Sequence, residues 1–200
     1  MQTAFDAFKA SMDRVRALHA LQGSLQNQLT AAVDLTDILR AELMMAVSAF
    51  DHFVHEMARL GMLESHRGTR PQTDAFKRFQ LPISSLGDMA NPAMAEQTLD
   101  TIVREKHGYL SFQKPENIAD AVRLYSSVKL WDAIAGECGE DPKVAKAAFQ
   151  LIIERRNQIA HEADLDPSYP DQRWPIDQVM VENAFDRIEK VADALFKVTV

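Results

Sequence analysis

The stretch LRAELMMAVSAFDHFVHEMARLG, residues 39–61, decides the fold. Its apolar side chains Leu39, Leu43, Val47, Phe50, Val54 and Met57 advance by 4, 4, 3, 4 and 3 residues, the repeat of a helix that buries one stripe. Thr36 and Asp37 stand upstream as caps, and Gly61 stands downstream as a stop. The pattern recurs on either side. Residues 3–22 carry Phe5, Phe8, Met12, Val15 and Leu18 at helical spacing ahead of Gly23. Residues 92–107 read as helix up to Gly108, and residues 116–135 form one run through Ile118, Val122, Tyr125, Val128, Leu130, Trp131 and Ile134, closed by Gly136 and Gly139. Asp141-Pro142 opens a further helix, with Asp as cap and Pro in the first turn. A last helix runs from about Asp177 through Phe185, Ile188, Val191, Leu195 and Val198. Turn residues dominate between Ser65 and Pro92, with room for one short helical piece around Asp74–Phe79, and Pro167, Pro170 and Pro175 mark a loop. No run of alternating β-branched residues competes, so the expected fold is all-α.

A chain of 200 residues suits one domain, read here as a core over residues 36–197 with a helical extension over 1–35. There are 22 Lys and Arg against 29 Asp and Glu, a net charge of −7. A polyanion therefore has no general positive field to follow and must be gripped locally. The most basic segment is Arg59 to Arg78, with Arg59, Arg67, Arg70, Lys77 and Arg78 against Glu64 and Asp74; a solvated surface accounts for it. The single cysteine, Cys138, allows no internal disulfide and suits a reducing compartment. Asp6, Lys9, Asp13, Arg14 and Arg16 leave no secretory apolar region in the first twenty residues, and no stretch is apolar enough to span a bilayer. A cytoplasmic protein with no membrane partner is expected.

The residues supply no dinucleotide fingerprint, phosphate loop, zincin motif, nucleophile elbow or calcium loop, so no cofactor is expected. His52 and His55 share a helix face at ligand-like spacing, yet Glu56 follows His55 directly and the Glu-x-x-His pairs of a di-iron bundle are missing. A polar face of Ser48, Asp51, His52, His55, Glu56 and Arg59 is the better account, and no metal is expected.

The most informative segment is Ile152-Ile153-Glu154-Arg155-Arg156-Asn157-Gln158-Ile159-Ala160-His161-Glu162. With Ile152 at the origin of a helical wheel, Val144, Ala148, Leu151 and Ile159 fall at about 260–340°, with Phe149 and Ile153 at about 60–100°; all should face neighbours. Arg155 and Arg156, at about 300° and 40°, enter that arc, where an unpaired guanidinium costs several kcal/mol. Local rules break in this way at functional sites. His161 lies near 180°, with Asn157 and Glu154 close by at about 140° and 200°, so Asn157 is placed to orient the imidazole. An arginine, an asparagine and a histidine at a helix end provide a fixed cation for phosphate, an orienting amide and an acid or base that titrates near neutrality. Metal-free RNA cleavage needs that set, because the 2′-hydroxyl loses a proton, the phosphorane charge is stabilised and the 5′-oxygen gains a proton.

Arg156 to His161 resembles the R-N-x-x-x-H form of the signature of the HEPN (higher eukaryotes and prokaryotes nucleotide-binding) superfamily. The wider chain is similar to its RiboL-PSP-HEPN branch in Leu39 to Leu60, Phe112 to Ile118, Leu130-Trp131-Asp132 and Arg155 to Asp164, a likeness covering roughly residues 35–197. The resemblance implies an antiparallel helical bundle with extra helices that forms a homodimer, the Arg and His of both protomers lining one cleft. It further implies a metal-independent endoribonuclease that leaves 2′,3′-cyclic phosphate ends and serves as a toxin or in anti-phage defence, with an antitoxin or defence-system protein as a possible partner beside RNA. In those terms Arg156 binds the scissile phosphate, His161 is the acid or base, and Asn157 positions them. Five residues turn a helix through about 500°, leaving Arg156 and His161 about 140° apart; either the helix distorts after Ile159 or the partner protomer completes the cleft. Asp51 is placed to pair with Arg156, and Arg155 reads as a structural or RNA-backbone arginine. Two alternatives stand: a HEPN module that binds nucleotide, RNA or protein without cutting, which the negative charge favours, and a scaffold whose Arg-Asn-His is a helix-end hydrogen-bond network.

Overall fold

A computed structural model describes residues 1–30 and 33–200, so Ala31 and Ala32 of the expected extension lie outside the described residues. Two long helices, α1 (Gln2–Gln28) and α2 (Thr36–Arg67), form the base of the bundle. They run in opposite directions: Phe5 and Phe8 meet Phe53 with ring centroids 6.0 and 5.2 Å apart, whereas His19 meets Glu42 at 2.7 Å. The other two long helices are α8 (Pro142–Glu162) and α9 (Gln178–Thr199). Phe5 stacks on Phe196 at 4.4 Å and Gln178 donates to Gln22 at 2.6 Å, so α9 is antiparallel to α1. Phe149 packs on Phe50 at 4.9 Å, and Asp164 just beyond α8 reaches Arg40 at 2.6 Å, so α8 is antiparallel to α2. Asp141 caps α8 through the Lys143 and Val144 amides, and Asp177 caps α9 through the Met180 amide.

Phe50, Phe53, Phe149, Phe185, Met12 and Met57 are fully buried at the centre, each contributing about 1.5–3 kcal/mol of hydrophobic stabilisation. Ala4, Phe8, Met12 and Val15 of α1 belong to this same cluster. Helix α1 continues past the expected stop at Gly23, where an added Cβ would lie 2.7 Å from Gln178 Nε2.

Gly61 likewise lies inside α2, which ends at Gly68 with φ of 77°. A Cβ at Gly61 would lie 2.4 Å from Cγ of the buried Tyr125 ring. Gly61→Ala is therefore expected to lose about 3 kcal/mol in urea unfolding. Gly136→Ala, with nothing within 4 Å, is expected to gain about 0.5–1 kcal/mol from helix propensity. Equal stabilities of the two variants would refute this packing.

Shorter elements complete the molecule: α3 (Asp74–Lys77), a 3₁₀ turn (Ile83–Ser85), α4 (Leu86–Ala90), α5 (Ala95–His107), α6 (Pro115–Arg123) and α7 (Leu130–Cys138). The run expected over 116–135 is thus two helices. The chain turns at Leu124 and Tyr125, where the Leu124 carbonyl accepts from Thr73 Oγ1 at 3.2 Å and Tyr125 packs over Gly61. The Pro-containing loop after α8 holds a small antiparallel hairpin, β1 (Leu165–Asp166) with β2 (Tyr169–Arg173). Among the described residues no helix is long and apolar enough to cross a membrane.

On α8 the buried stripe is Ala145, Phe149 and Ile153, while Val144 and Leu151, expected to pack, are 56% and 65% exposed. The helix carries apolar residues on two sides, and only the tertiary fold selects the inner one.

Candidate functional site

Helix α8 is regular through Glu162 and ends with Ala163 and Asp164 in the left-handed region (φ 52° and 60°), the Asp164 amide donating to the Gln158 carbonyl at 3.1 Å. No distortion follows Ile159, so Arg156 and His161 of one protomer keep their separation of about 140°.

Arg155 turns to an ionic cluster beneath the hairpin. Its Nη1 lies 2.6 Å from Asp164 Oδ1, its Nη2 donates to the Trp174 and Pro175 carbonyls at 3.2 and 3.1 Å, and Arg40 Nε donates to Asp164 Oδ2 at 2.6 Å. Asp164 is fully buried. Burial pushes the Arg155 guanidinium below its ordinary pKa, while Asp164 pulls it back. The role of Arg155 is to tie the segment after α8 to the bundle.

Arg156 points to a cavity of about 530 Å³ between α1, α2 and α8, shared with Arg14, Ser48 and His52. Its Nη1 donates to Asn157 Oδ1 at 3.0 Å, its Nε is buried without a partner, and among the described residues no carboxylate pairs with it. Asn157 therefore touches the arginine, with no hydrogen bond to the histidine. His161 is exposed and lies outside that cavity. The expected pairing of Asp51 with Arg156 does not form: Asp51 accepts from the Phe112 amide at 2.6 Å and from Gln113 Nε2 at 3.4 Å, with His55 Nε2 at 3.9 Å. Asp51 precedes His52 on α2, and one helical step of about 100° turns it toward the segment ahead of α6.

His52 also borders a second cavity of about 190 Å³ between α2 and α5, with His55, Glu56, Arg59, Arg104 and His107. His55 lies 4.4 Å from the Phe112 ring and 6.4 Å from the His107 ring, centroid to centroid. Among the described residues no group of three or more His, Cys, Asp or Glu is placed to hold a metal ion. Burial, followed by the proximity of His55, lowers His107 from 6.5 to about 4. Above pH 6.5 the group is neutral in both the folded and the unfolded chain. As pH falls the unfolded chain takes up the proton first, so stability is lost between about 6.5 and about 4. Between pH 7 and 4.5 the wild type is expected to lose about 2–3 kcal/mol more than His107→Phe in urea unfolding. Identical losses in the two proteins would show that His107 does not resist protonation.

Three cations of the locally basic stretch are neutralised in place, while Lys77 and Arg78 form no ion pair among the described residues. Arg59 pairs with Glu56 at 2.7 Å and Asp100 at 2.6 Å, Arg67 pairs with Glu96, and Arg70 pairs with Glu64 at 3.1 Å. Arg156 and Arg14 likewise have no carboxylate partner among the described residues, and both line the same cavity. Arg14 went unmarked in the sequence because the first helix reads as an appendage; its register with Ser11 and Val15, at i−3 and i+1, gives no hint of what α2 and α8 place opposite.

A bundle of this order, 74% helical with only a small hairpin, is a HEPN-type all-α domain. The sequence profile of the RiboL-PSP-HEPN family matches residues 12–200, and the chain belongs to that family. No curated protein and no solved structure matches it.

Proposed function

We propose that the protein is a metal-independent endoribonuclease of HEPN type, acting in the cytoplasm as a homodimer over its whole length as one domain. The observation that carries this is Arg156: a half-buried guanidinium with no carboxylate partner among the described residues, held by Asn157 and facing a cavity. A half-buried cation without a carboxylate partner leaves its fork free for an anion, and a phosphodiester meets it with bidentate geometry. His161 stands exposed on another side of α8, where it reaches the Arg156 of a twofold partner. In the reaction His161 takes the 2′-hydroxyl proton, the 2′-oxygen attacks phosphorus, Arg156 stabilises the phosphorane, and the P–O5′ bond breaks as the same imidazolium gives its proton to the leaving oxygen. The products are a 2′,3′-cyclic phosphate and a 5′-hydroxyl, with no metal or redox partner required. The family likeness extends the proposal to a toxin or anti-phage effector, restrained by an antitoxin or defence-system protein.

Labelled RNA incubated with the purified protein in EDTA tests this: cleavage to cyclic phosphate ends is expected. Activity that appears only with added divalent metal would overturn the mechanism. RNA bound but left intact would establish the second reading, a non-catalytic binding module, which the net charge of −7 and the paired surface arginines favour.

A further inference from the structure

The cavity facing Arg156 is amphiphilic. Its rim carries two guanidiniums, Arg14 and Arg156, with the His52 imidazole, and none of its lining residues is acidic in a chain of net charge −7. Its floor is apolar, with Met44, Met45, Val15 and Ala49. Met45 is 44% exposed, on the outward stripe of α2 with Ala41 and Ser48.

Arg14 is also unusual within α1. Two residues on, Arg16 pairs with Asp186 and Glu189 of α9, whereas Arg14 has no carboxylate partner among the described residues and donates only to Ser11 Oγ at 2.9 Å. The Ser11 hydroxyl donates in turn to the Ala7 carbonyl at 2.8 Å, which fixes it as an acceptor for Arg14 and holds the guanidinium along the rim. Arg156, on α8, keeps a buried Nε without a partner.

A cationic rim over a thioether floor matches the two halves of a nucleotide: guanidiniums fork onto phosphate oxygens, and polarisable methionine sulfur packs on flat aromatic rings. The volume of about 530 Å³ falls within the range of roughly 300–1,000 Å³ typical of small-molecule sites, which is ample for one nucleotide.

Resting on the ribonuclease reading for its biological substrate, we propose that this cavity is a single-nucleotide subsite for the RNA strand. Arg14 of α1 grips phosphate alongside Arg156, and the base lies over Met44 and Met45. The first helix is then part of the RNA-binding surface, and each protomer supplies its own subsite.

The test uses the full chain and a short 2′-O-methyl oligoribonucleotide, which binds but cannot be cleaved, with 5′-AMP and adenosine as competitors. Arg14 is exposed, so Arg14→Ala is expected to retain the wild-type circular dichroism and melting profile. It is expected to weaken oligonucleotide binding about tenfold and to lower the slope of log K against log salt by about one, with Arg14→Lys restoring the slope. Met45→Glu, which brings a carboxylate to the floor, is expected to weaken binding at least as much. 5′-AMP is expected to compete and adenosine to compete far less.

If Arg156→Ala weakens binding while Arg14→Ala leaves both affinity and slope unchanged, the subsite is refuted and the nuclease reading stands. If the protein neither cleaves RNA nor holds the oligonucleotide, yet binds 5′-AMP in a manner lost with Arg14→Ala, the nuclease reading falls and the nucleotide site stands. Absence of 5′-AMP binding together with absence of an Arg14 effect removes the site.

Discussion

Arg156→Ala is expected to cleave RNA about 10²–10³-fold more slowly than the wild type in EDTA, the range typical of removing one group that meets developing transition-state charge. The loss should not come from unfolding. The arginine is only half-buried, its Nε has no partner and its one hydrogen bond is to the neighbouring Asn157, so truncation opens no core cavity and melting should shift little. Lys at this position restores charge without the fork and is expected to recover part of the affinity and little of the rate. His161→Ala is expected to keep RNA affinity and lose turnover, since its exposed imidazole serves proton transfer rather than grip.

Mixing the two dead variants separates a cleft shared across the dimer from one built within a protomer. If Arg156 of one chain works with His161 of the other, half of the randomly formed dimers carry one intact centre, and activity should return to about a quarter of the wild type. If both groups come from the same chain, every centre in the mixture is broken and no activity returns. With α8 regular through Glu162, one protomer holds the two groups about 140° apart, and the first outcome is the expected one.

The second large effect concerns stability. Asp164→Ala leaves Arg40 and Arg155 facing one another in a buried pocket without their shared carboxylate, where Arg40 Nε and Arg155 Nη1 each lie 2.6 Å from it. Breaking a buried ion pair from one side typically costs about 3–5 kcal/mol. The backbone adds to this, since φ of 60° at Asp164 lies in the left-handed region that Asp and Asn tolerate and Ala resists. Asp164→Asn keeps the backbone preference and a carbonyl acceptor but loses the charge, so its loss is expected to fall between wild type and Ala. Urea unfolding followed by circular dichroism measures both variants; an Ala variant within about 0.5 kcal/mol of wild type would mean the cluster is not a structural tie.

This cluster also explains why two adjacent arginines break the helical pattern. Both stood out because each enters the arc that periodicity assigns to packing, and the structure gives them different tasks: Arg155 meets Asp164, nine residues on, whereas Arg156 meets the cavity under α1. Asp51 shows the opposite case. Its residue type suited a partner for Arg156, but its carboxylate is occupied by the Phe112 amide, a backbone donor that no side-chain pattern displays. His52 was read as one member of a polar face, and its place beside Arg156 depends on the crossing of α2 and α8.

What the sequence by itself determined is the all-α class, the four long helices, the cap at Asp141, and the membership of Phe50, Phe149 and Phe185 in the core. Periodicity and capping act within a few residues along the chain, so they can be read without knowing what lies opposite. Only the tertiary structure decided that α1 is a wall of the cavity, that Gly23 and Gly61 lie inside helices rather than at their ends, with Gly61 against the Tyr125 ring, and that Val144 and Leu151 face outward. Those outcomes are set by which surfaces meet across long separations in sequence, where burial and steric fit, rather than local propensity, choose among faces that the residues alone leave equivalent.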